Sequence, residues 1–83
     1  MTTEERIRRV VGDLGGLAVD IGRLSDEDDL FAAGMTSHAS VNVMLGLENE
    51  FELEFPDSML TRSVFQSISA IRDAVFQLGV QVL

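Results

Sequence analysis

The chain has no cysteine, lysine, tryptophan or tyrosine, and its 83 residues include one histidine and one proline. Without cysteine there is neither a disulfide framework nor a thiol of the chain's own. A single histidine without cysteine also excludes an ordinary zinc site. The core must be built from Leu, Ile, Val, Met and five Phe, and 46% hydrophobic residues predict one small globular domain, residues 1–83.

Basic charge is scarce: the net charge is −8, and all six basic residues are arginine. Between Leu24 and Thr61 there are nine acidic residues and no arginine. Such a surface repels nucleic acid and anionic lipid and attracts basic partners. We therefore expect protein partners with basic surfaces and no binding to nucleic acid.

Long hydrophobic runs are missing as well. The amino terminus, MTTEERIRRVV, is charged from its start and lacks the apolar region of a signal peptide. The apolar tail, AVFQLGVQVL, is too short to span a bilayer. These features predict a cytoplasmic protein without membrane insertion, and we expect it to be monomeric.

Apolar residues at helical spacing predict three long helices. They run at about residues 3–15, from Ser37 to Phe51 or Glu52, and from an N-cap at Ser67 to about Gly79. Thr2 and Glu5 have the spacing of a capping box at the start of the first helix. In the second helix, the apolar stripe assigned to the core consists of Val41, Met44, Leu45 and Phe51, with Val43 and Leu47 widening it.

A fourth, short helix is predicted from Pro56 to Leu60, because proline suits the first turn of a helix. The stretch FELEFP alternates like a strand, but no second strand is available to pair with it. The connection at residues 18–36 is long for a small domain, and such a loop is unusual unless functional. Its apolar residues are expected to pack onto the helices: Ile21, Leu24, Leu30 and Phe31. The predicted fold is all-α, a four-helix bundle with three long helices and one short one.

The stretch GMTSHAS, residues 34–40, places the single histidine next to a serine and invites a catalytic interpretation. However, neighbours on a helix point about 100° apart, so Ser37 and His38 do not face each other. The stretch also lacks the G-x-S-x-G pattern. The acidic run SDEDDLF has leucine at the third ligand position of an EF-hand and no glycine after it. The chain shows no catalytic constellation of its own and is predicted not to be an enzyme.

Ser37 stands at the start of the second predicted helix, where free backbone N–H groups and the helix dipole favour an anion. A phosphodiester on this serine would be stabilised there. Gly34 would let an enzyme approach the backbone closely. The acidic helix that follows offers a docking face for basic partners.

In these residues the sequence resembles the acyl carrier protein family, small carriers that bear phosphopantetheine on a serine. The matching segments are DLF at 29–31, GMTSHASVNV at 34–43, LE at 47–48, Phe51, Pro56, and FQSI at 65–68 with Ile71. The segments occur in the family's order, and the resemblance as a whole spans about residues 5–78. The stretch GMTSHASVNVMLGLENEF is similar to stand-alone carriers that receive an activated amino acid from a ligase resembling an aminoacyl-tRNA synthetase.

The resemblance implies that Ser37 carries 4′-phosphopantetheine, transferred from coenzyme A by a phosphopantetheinyl transferase. The arm would end in a thiol that holds an acyl or aminoacyl group as a thioester for a downstream acceptor enzyme. An amino acid carrier is favoured; the alternatives are a specialised fatty acyl or polyketide carrier and an unmodified helical interaction module. The resemblance also implies docking of partners through Glu48, with Val41 and Met44 as apolar contacts, although core packing is an alternative for these two.

The chain departs from the family on both sides of the serine. The family usually has Asp before it and Leu after it, whereas this chain has Thr36 and His38. Thr36 is expected to affect recognition by the transferase or to cap the helix. His38 is expected to select partners or contact the arm, unless it is an exposed residue without a role. Gly46 replaces a larger helix former at a cost of up to about 1 kcal/mol, and is expected to allow close approach of a partner or of the first helix.

Overall fold

A computed structural model of the protein describes residues 1–79 and is built from three α-helices. They are α1 (Thr3–Leu14), α2 (Ser37–Phe51) and α3 (Ile68–Gln77), with short 3-10 turns at Ile21–Arg23, Asp57–Met59 and Arg62–Val64. Residues 1–79 contain no β-strand, so the predicted all-α class is confirmed. None of the helices in this range has the length and apolar character needed to cross a bilayer. The last four residues of the apolar tail AVFQLGVQVL, residues 80–83, lie outside the described range.

The start of α1 follows the predicted capping box. The Glu5 backbone N–H donates to Thr2 Oγ1 at 3.1 Å, and the Thr2 backbone N–H donates to Glu5 Oε1 at 3.4 Å. The helix ends at Leu14, just before Gly16, whose φ of +62° lies in the left-handed region. The buried apolar residues of α1 are Ile7, Val10 and Val11. Capping therefore fixes where the helix begins, and the apolar stripe fixes which face it buries.

The short helix predicted from Pro56 to Leu60 is present only as a 3-10 turn at Asp57–Met59, so a fourth helix of the bundle is not confirmed. The Met59 N–H donates to the Pro56 carbonyl at 2.8 Å, and the Leu60 N–H donates to the Asp57 carbonyl at 3.1 Å. Proline precedes this turn in extended backbone instead of starting an α-helical turn. One turn gains too few hydrogen bonds to offset the cost of nucleating an α-helix. Within residues 1–79 the bundle therefore has three α-helices, not four.

The buried stripe of α2 differs from the predicted one. Val43 and Leu47, expected only to widen the stripe, are both 0% exposed. Val41 and Leu45, expected to form the stripe with Met44 and Phe51, are 50% and 53% exposed. Apolar residues occupy nearly all sides of this helix, so its own periodicity does not identify the buried side. Packing against the other helices decides instead, and the shared core also includes Ile7, Val10, Val11, Leu30, Met35, Phe55, Phe65, Ile68, Ile71, Ala74 and Val75.

Gly46 lies where α2 meets α1. A Cβ added at this position would lie 2.5 Å from Leu14 Cδ1 and 2.9 Å from Val10 Cγ1. Both distances are shorter than side-chain contacts allow. Of the two reasons expected for this glycine, close approach of the first helix is therefore present in the structure.

The loop between α1 and α2 is fastened to the helical core, as its apolar residues predicted. Leu30 is fully buried, and its N–H donates to the Gln66 carbonyl at 2.7 Å. Nearer the start of the loop, Asp26 Oδ1 accepts a hydrogen bond of 2.6 Å from Arg8 of α1. A buried apolar anchor and a partly buried ion pair thus hold the segment that leads into α2.

Candidate functional site

Ser37 is the first residue of α2, and it is exposed. The N-cap is Thr36, whose Oγ1 accepts a hydrogen bond of 3.0 Å from the Ala39 N–H, so the capping role expected for Thr36 is confirmed. Ser40 Oγ donates to the Ser37 carbonyl at 2.6 Å. Because the cap uses the preceding residue, the Ser37 hydroxyl is left without a hydrogen bond to any other residue in the range 1–79.

A tight turn holds the segment immediately before α2. Asp29 Oδ1 accepts hydrogen bonds from the Phe31 N–H at 2.9 Å and the Ala32 N–H at 3.3 Å. The Met35 N–H donates to the Leu30 carbonyl at 3.0 Å, and both of these side chains are buried. The DLF segment therefore has a structural meaning. Its acid caps the turn and its leucine anchors the turn in the core.

Gly34 is required by packing within the chain. Its φ is +116°, and an added Cβ would lie 2.8 Å from the Ala18 nitrogen. The Ala18 N–H also donates to the Ala33 carbonyl at 2.9 Å, which holds the start and the end of the loop together. This contact accounts for the glycine, and close approach of an enzyme to its backbone stays a prediction.

A pocket of about 360 Å³ lies beside the start of α2. It is lined by Ser37, Ser40, Val41 and Met44 of α2, and by Phe31, Leu60, Thr61, Arg62 and Phe65. Two of these lining residues were predicted from the sequence as apolar contacts, and they differ in burial. Met44 is partly buried against the core, whereas Val41 is half-exposed. The core-packing alternative therefore holds for Met44 but not for Val41. Sequence reasoning did not identify this pocket, because most of its far wall comes from residues more than twenty positions after Ser37.

His38, Val41 and Leu45 are three of the exposed residues on one side of α2, where Asn42 is exposed as well. Their spacing of three and four residues places them next to one another on the helix surface. Val41 and Leu45 are apolar and half-exposed, and His38 is exposed at the first turn. We refer to these three residues as the α2 face. Sequence reasoning selected the first two but missed Leu45, since its periodicity is equally consistent with the core.

Glu48 has a structural partner within the chain. Its Oε2 accepts a hydrogen bond of 2.9 Å from the Phe55 N–H, and its carbonyl accepts one of 3.1 Å from the Leu53 N–H. Glu52, which lies between Glu48 and Leu53 in the sequence, adopts a left-handed conformation at φ 53° and ends the helix. The Glu48 side chain therefore stabilises the reversal that follows α2. Its predicted role in docking partners stays a prediction.

Glu50 is also engaged inside the protein. Its Oε2 accepts a hydrogen bond of 2.7 Å from Arg6 Nε, and its Oε1 accepts one of 3.0 Å from Arg9 of the same helix, α1. The hydrogen bond from Arg6 is the main cause that holds the pKa of Glu50 below its ordinary value of 4.5. The acidic end of α2 thus presents to solvent chiefly Glu52 and Glu54, which are exposed.

The surroundings of Ser37 suit a covalently attached anionic group. The hydroxyl is exposed, and the first turn of α2 carries no acidic side chain that would repel a phosphate. Backbone N–H groups at a helix start are oriented towards such a charge. The adjacent pocket offers space and apolar surface for an attached chain. The residues present therefore fit a serine-linked phosphodiester.

Comparisons with known proteins agree with this geometry. The sequence profile of the phosphopantetheine attachment site matches residues 5–75. The chain is 48% identical over 69 residues to an aminoacyl carrier protein of Agrobacterium fabrum (strain C58 / ATCC 33970), an alignment that covers 83% of each protein.

Solved structures with the same fold are similar to this chain as well. One is a chain of the crystal structure of an engineered Bradyrhizobium japonicum glycine:[carrier protein] ligase complexed with carrier protein from Agrobacterium tumefaciens and AMP. It has 44% identity and a TM-score of 0.87, covering 89% of this chain and 99% of that one. Another belongs to the crystal structure of the Bradyrhizobium japonicum ligase complexed with glycylated carrier protein, with 32% identity and a TM-score of 0.74 over 86% of this chain and 95% of that one.

Proposed function

Since the chain belongs to the family defined by the phosphopantetheine attachment site, we propose that Ser37 bears its 4′-phosphopantetheine and that the cargo is an amino acid. The observation that carries the proposal is the exposed, unbonded Ser37 hydroxyl at the first position of α2, inside the matched region. As a carrier, the protein is a substrate of partner enzymes and not a catalyst.

During attachment, Ser37 Oγ becomes bonded to a phosphorus atom of coenzyme A. An Oγ–P bond forms, the P–O bond to adenosine 3′,5′-bisphosphate breaks, and the hydroxyl proton passes to a base of the transferase. The product is a phosphodiester anion beside the first turn of α2, where the helix dipole contributes roughly 0.3–1 kcal/mol. When bound, the arm supplies the thiol that this chain lacks and on which a thioester is formed.

An amino acid cargo is supported by the relatives. The relative with 48% identity is an aminoacyl carrier protein, and the similar solved chains occur in complexes with glycine:[carrier protein] ligases. We therefore infer a loading ligase of this type as partner, alongside a phosphopantetheinyl transferase and a downstream acceptor enzyme. A specialised fatty acyl carrier is the second candidate, because the pocket beside Ser37 has mainly apolar side chains.

The α2 face is proposed as the surface that docks the ligase. Val41 and Leu45 expose apolar surface to water, and docking would remove that surface from solvent. His38 adds a polar group at the end nearest the attachment residue. Met44 and Glu48 would contribute indirectly, since one packs against the core and the other fixes the end of the helix.

The attachment residue is tested by mass spectrometry after incubation with coenzyme A and a phosphopantetheinyl transferase. The wild type and Ser40→Ala should each gain the mass of one arm, whereas Ser37→Ala should gain none. Ser40 is a matched control, because it lines the same pocket and its Oγ donates to the Ser37 carbonyl. If the wild type stays unmodified while a known carrier is modified in the same mixture, the proposal fails.

The cargo is tested with the modified protein, ATP and a glycine:[carrier protein] ligase. Loading with glycine should produce a mass increase that hydroxylamine removes, because hydroxylamine cleaves thioesters. Other amino acids and fatty acids, each with its own ligase, are compared under the same conditions. Preferential loading with a fatty acid would overturn the amino acid version and favour the second candidate.

Three further expectations from the sequence stay predictions: a monomer, a single domain and a cytoplasmic location. Light scattering on the modified protein tests the first. Limited proteolysis tests the second, since one domain should yield one protected core. Fractionation of native cells tests the third.

A further inference from the structure

One basic side chain, that of the exposed Arg62, lines the pocket beside Ser37. Arg62 and Thr61 line it together with Ser37 and Ser40, and the remaining lining residues are apolar. Its volume, about 360 Å³, lies at the small end of the range of pockets that hold organic ligands, about 300–1,000 Å³. A basic side chain at this place is unusual for two reasons. The pocket is mainly apolar, and the chain as a whole has a net charge of −8.

Arg62 differs from most arginines of the chain in its partners. Carboxylates within 4.0 Å pair with Arg6, Arg8, Arg9 and Arg72. No such pair involves Arg62 among residues 1–79; instead its guanidinium lies over the Phe31 ring, 4.0 Å from the centroid. Stacking on a ring uses the face of the guanidinium and leaves the N–H groups at its edge able to donate. The Arg62 guanidinium thus stacks on the Phe31 ring, and its N–H groups can still donate hydrogen bonds to a ligand.

We propose that Arg62 binds the phosphodiester of the arm on Ser37 and so holds the arm against the apolar wall of the pocket when no partner enzyme is bound. This inference rests on the proposed function. A guanidinium is suited to phosphate, since its planar set of donors matches two phosphate oxygens. The covalent link keeps the phosphate at high effective concentration beside any group that lines the same pocket as its serine.

The consequence is a docked state of the arm on the carrier itself. The phosphate end would be bound by Arg62, and the chain beyond it would cover Val41, Met44 and Phe65. A ligase would then have to draw the arm out of this pocket before loading it. Removing the Arg62 charge should shift the arm towards the free state without changing how the arm is attached.

The test compares ¹⁵N-labelled protein with and without the arm by NMR. In the wild type, attachment should shift amide signals near Ser37 and also those of Thr61, Arg62 and Phe65, which are far from the serine in sequence. In Arg62→Gln, the shifts at residues 61–65 should be lost while those at residues 36–40 persist. Arg23→Gln is the matched control, since Arg23 is exposed and forms no carboxylate pair within residues 1–79. It should behave like the wild type.

A second measurement needs no substitution. Raising the salt concentration to about 1 M shortens the Debye length to about 3 Å, and should reduce the distant shifts in the wild type if an ionic contact causes them. Distant shifts that are absent in the wild type, or unchanged in Arg62→Gln, would overturn the inference. The intact mass of each sample separates the two proposals: a protein without the arm contradicts the attachment to Ser37, whereas an attached arm without distant shifts contradicts only the role of Arg62.

Discussion

Replacing Leu45 with alanine should weaken binding of the carrier to its ligase. Leu45 is 53% exposed, so about half of its apolar surface is available to a partner. Full burial of a leucine side chain is worth roughly 1.5–3 kcal/mol, and half of that is roughly 0.8–1.5 kcal/mol. The dissociation constant should therefore rise about 4- to 13-fold.

The double replacement of Leu45 and Val41 extends this prediction. Val41 is 50% exposed, and alanine removes two carbon atoms at roughly 0.8 kcal/mol each when fully buried, or roughly 0.8 kcal/mol for half burial. Added to the Leu45 effect, the loss is roughly 1.6–2.3 kcal/mol, which corresponds to an increase of about 15- to 50-fold in the dissociation constant.

The assay is isothermal titration calorimetry of arm-bearing carrier against a glycine:[carrier protein] ligase. Val19→Ala is a matched control, since Val19 is 43% exposed but lies in the loop before α2. Thermal unfolding should show that all variants remain folded, because exposed positions usually change stability by no more than about 0.5 kcal/mol. An unchanged dissociation constant in the double variant, or equal weakening by Val19→Ala, would refute docking through the α2 face.

Further predictions concern stability, each followed by chemical denaturation. Gly46→Ala should lower the free energy of unfolding by about 1 kcal/mol, because overpacking against α1 costs about 1–3 kcal/mol and the gain in helix propensity is at most about 1 kcal/mol; a gain in stability would contradict this. Glu48→Ala should cost about 1–3 kcal/mol, since the Phe55 N–H loses its acceptor, and unchanged stability would show that the bond contributes nothing. Hydrogen bonds from arginines of α1 lower the pKa of Glu50 and Asp26 below their ordinary values of 4.5 and 3.8. The contribution of these two carboxylates to the free energy of unfolding is therefore present above those pH values and lost as the pH falls below them. Glu50→Gln should lose less stability than the wild type over this pH range. An identical loss of stability would contradict the contribution assigned to Glu50.

The helix starts could be predicted from the sequence because their signals are local. Thr2 with Glu5 and the hydroxyl of Ser67 satisfy backbone donors only three residues away. The same is true of Thr36 at the start of α2. Such contacts depend on spacing along the chain and on little else, so the sequence contains what is needed to find them.

The buried side of α2 and the pocket could not be predicted in this way. Val43 and Leu45 are both apolar residues of the same helix, and only the packing of α2 against α1 and the shared core decides that one is buried and the other exposed. The contact of Arg62 with Phe31 joins residues 31 positions apart along the chain. The segment after Pro56 is too short to form an α-helix and contains a 3-10 turn instead. The proline alone does not predict this difference.

The role of Ser37 and the nature of the cargo are tested together by mass spectrometry of the protein purified from its native cell. We predict that the peptide containing Ser37 carries phosphopantetheine with an amino acid bound as a thioester, which hydroxylamine releases. An unmodified Ser37, or an arm on a different residue, would contradict the assignment of this serine. A fatty acyl group on the arm would contradict the assignment of the cargo.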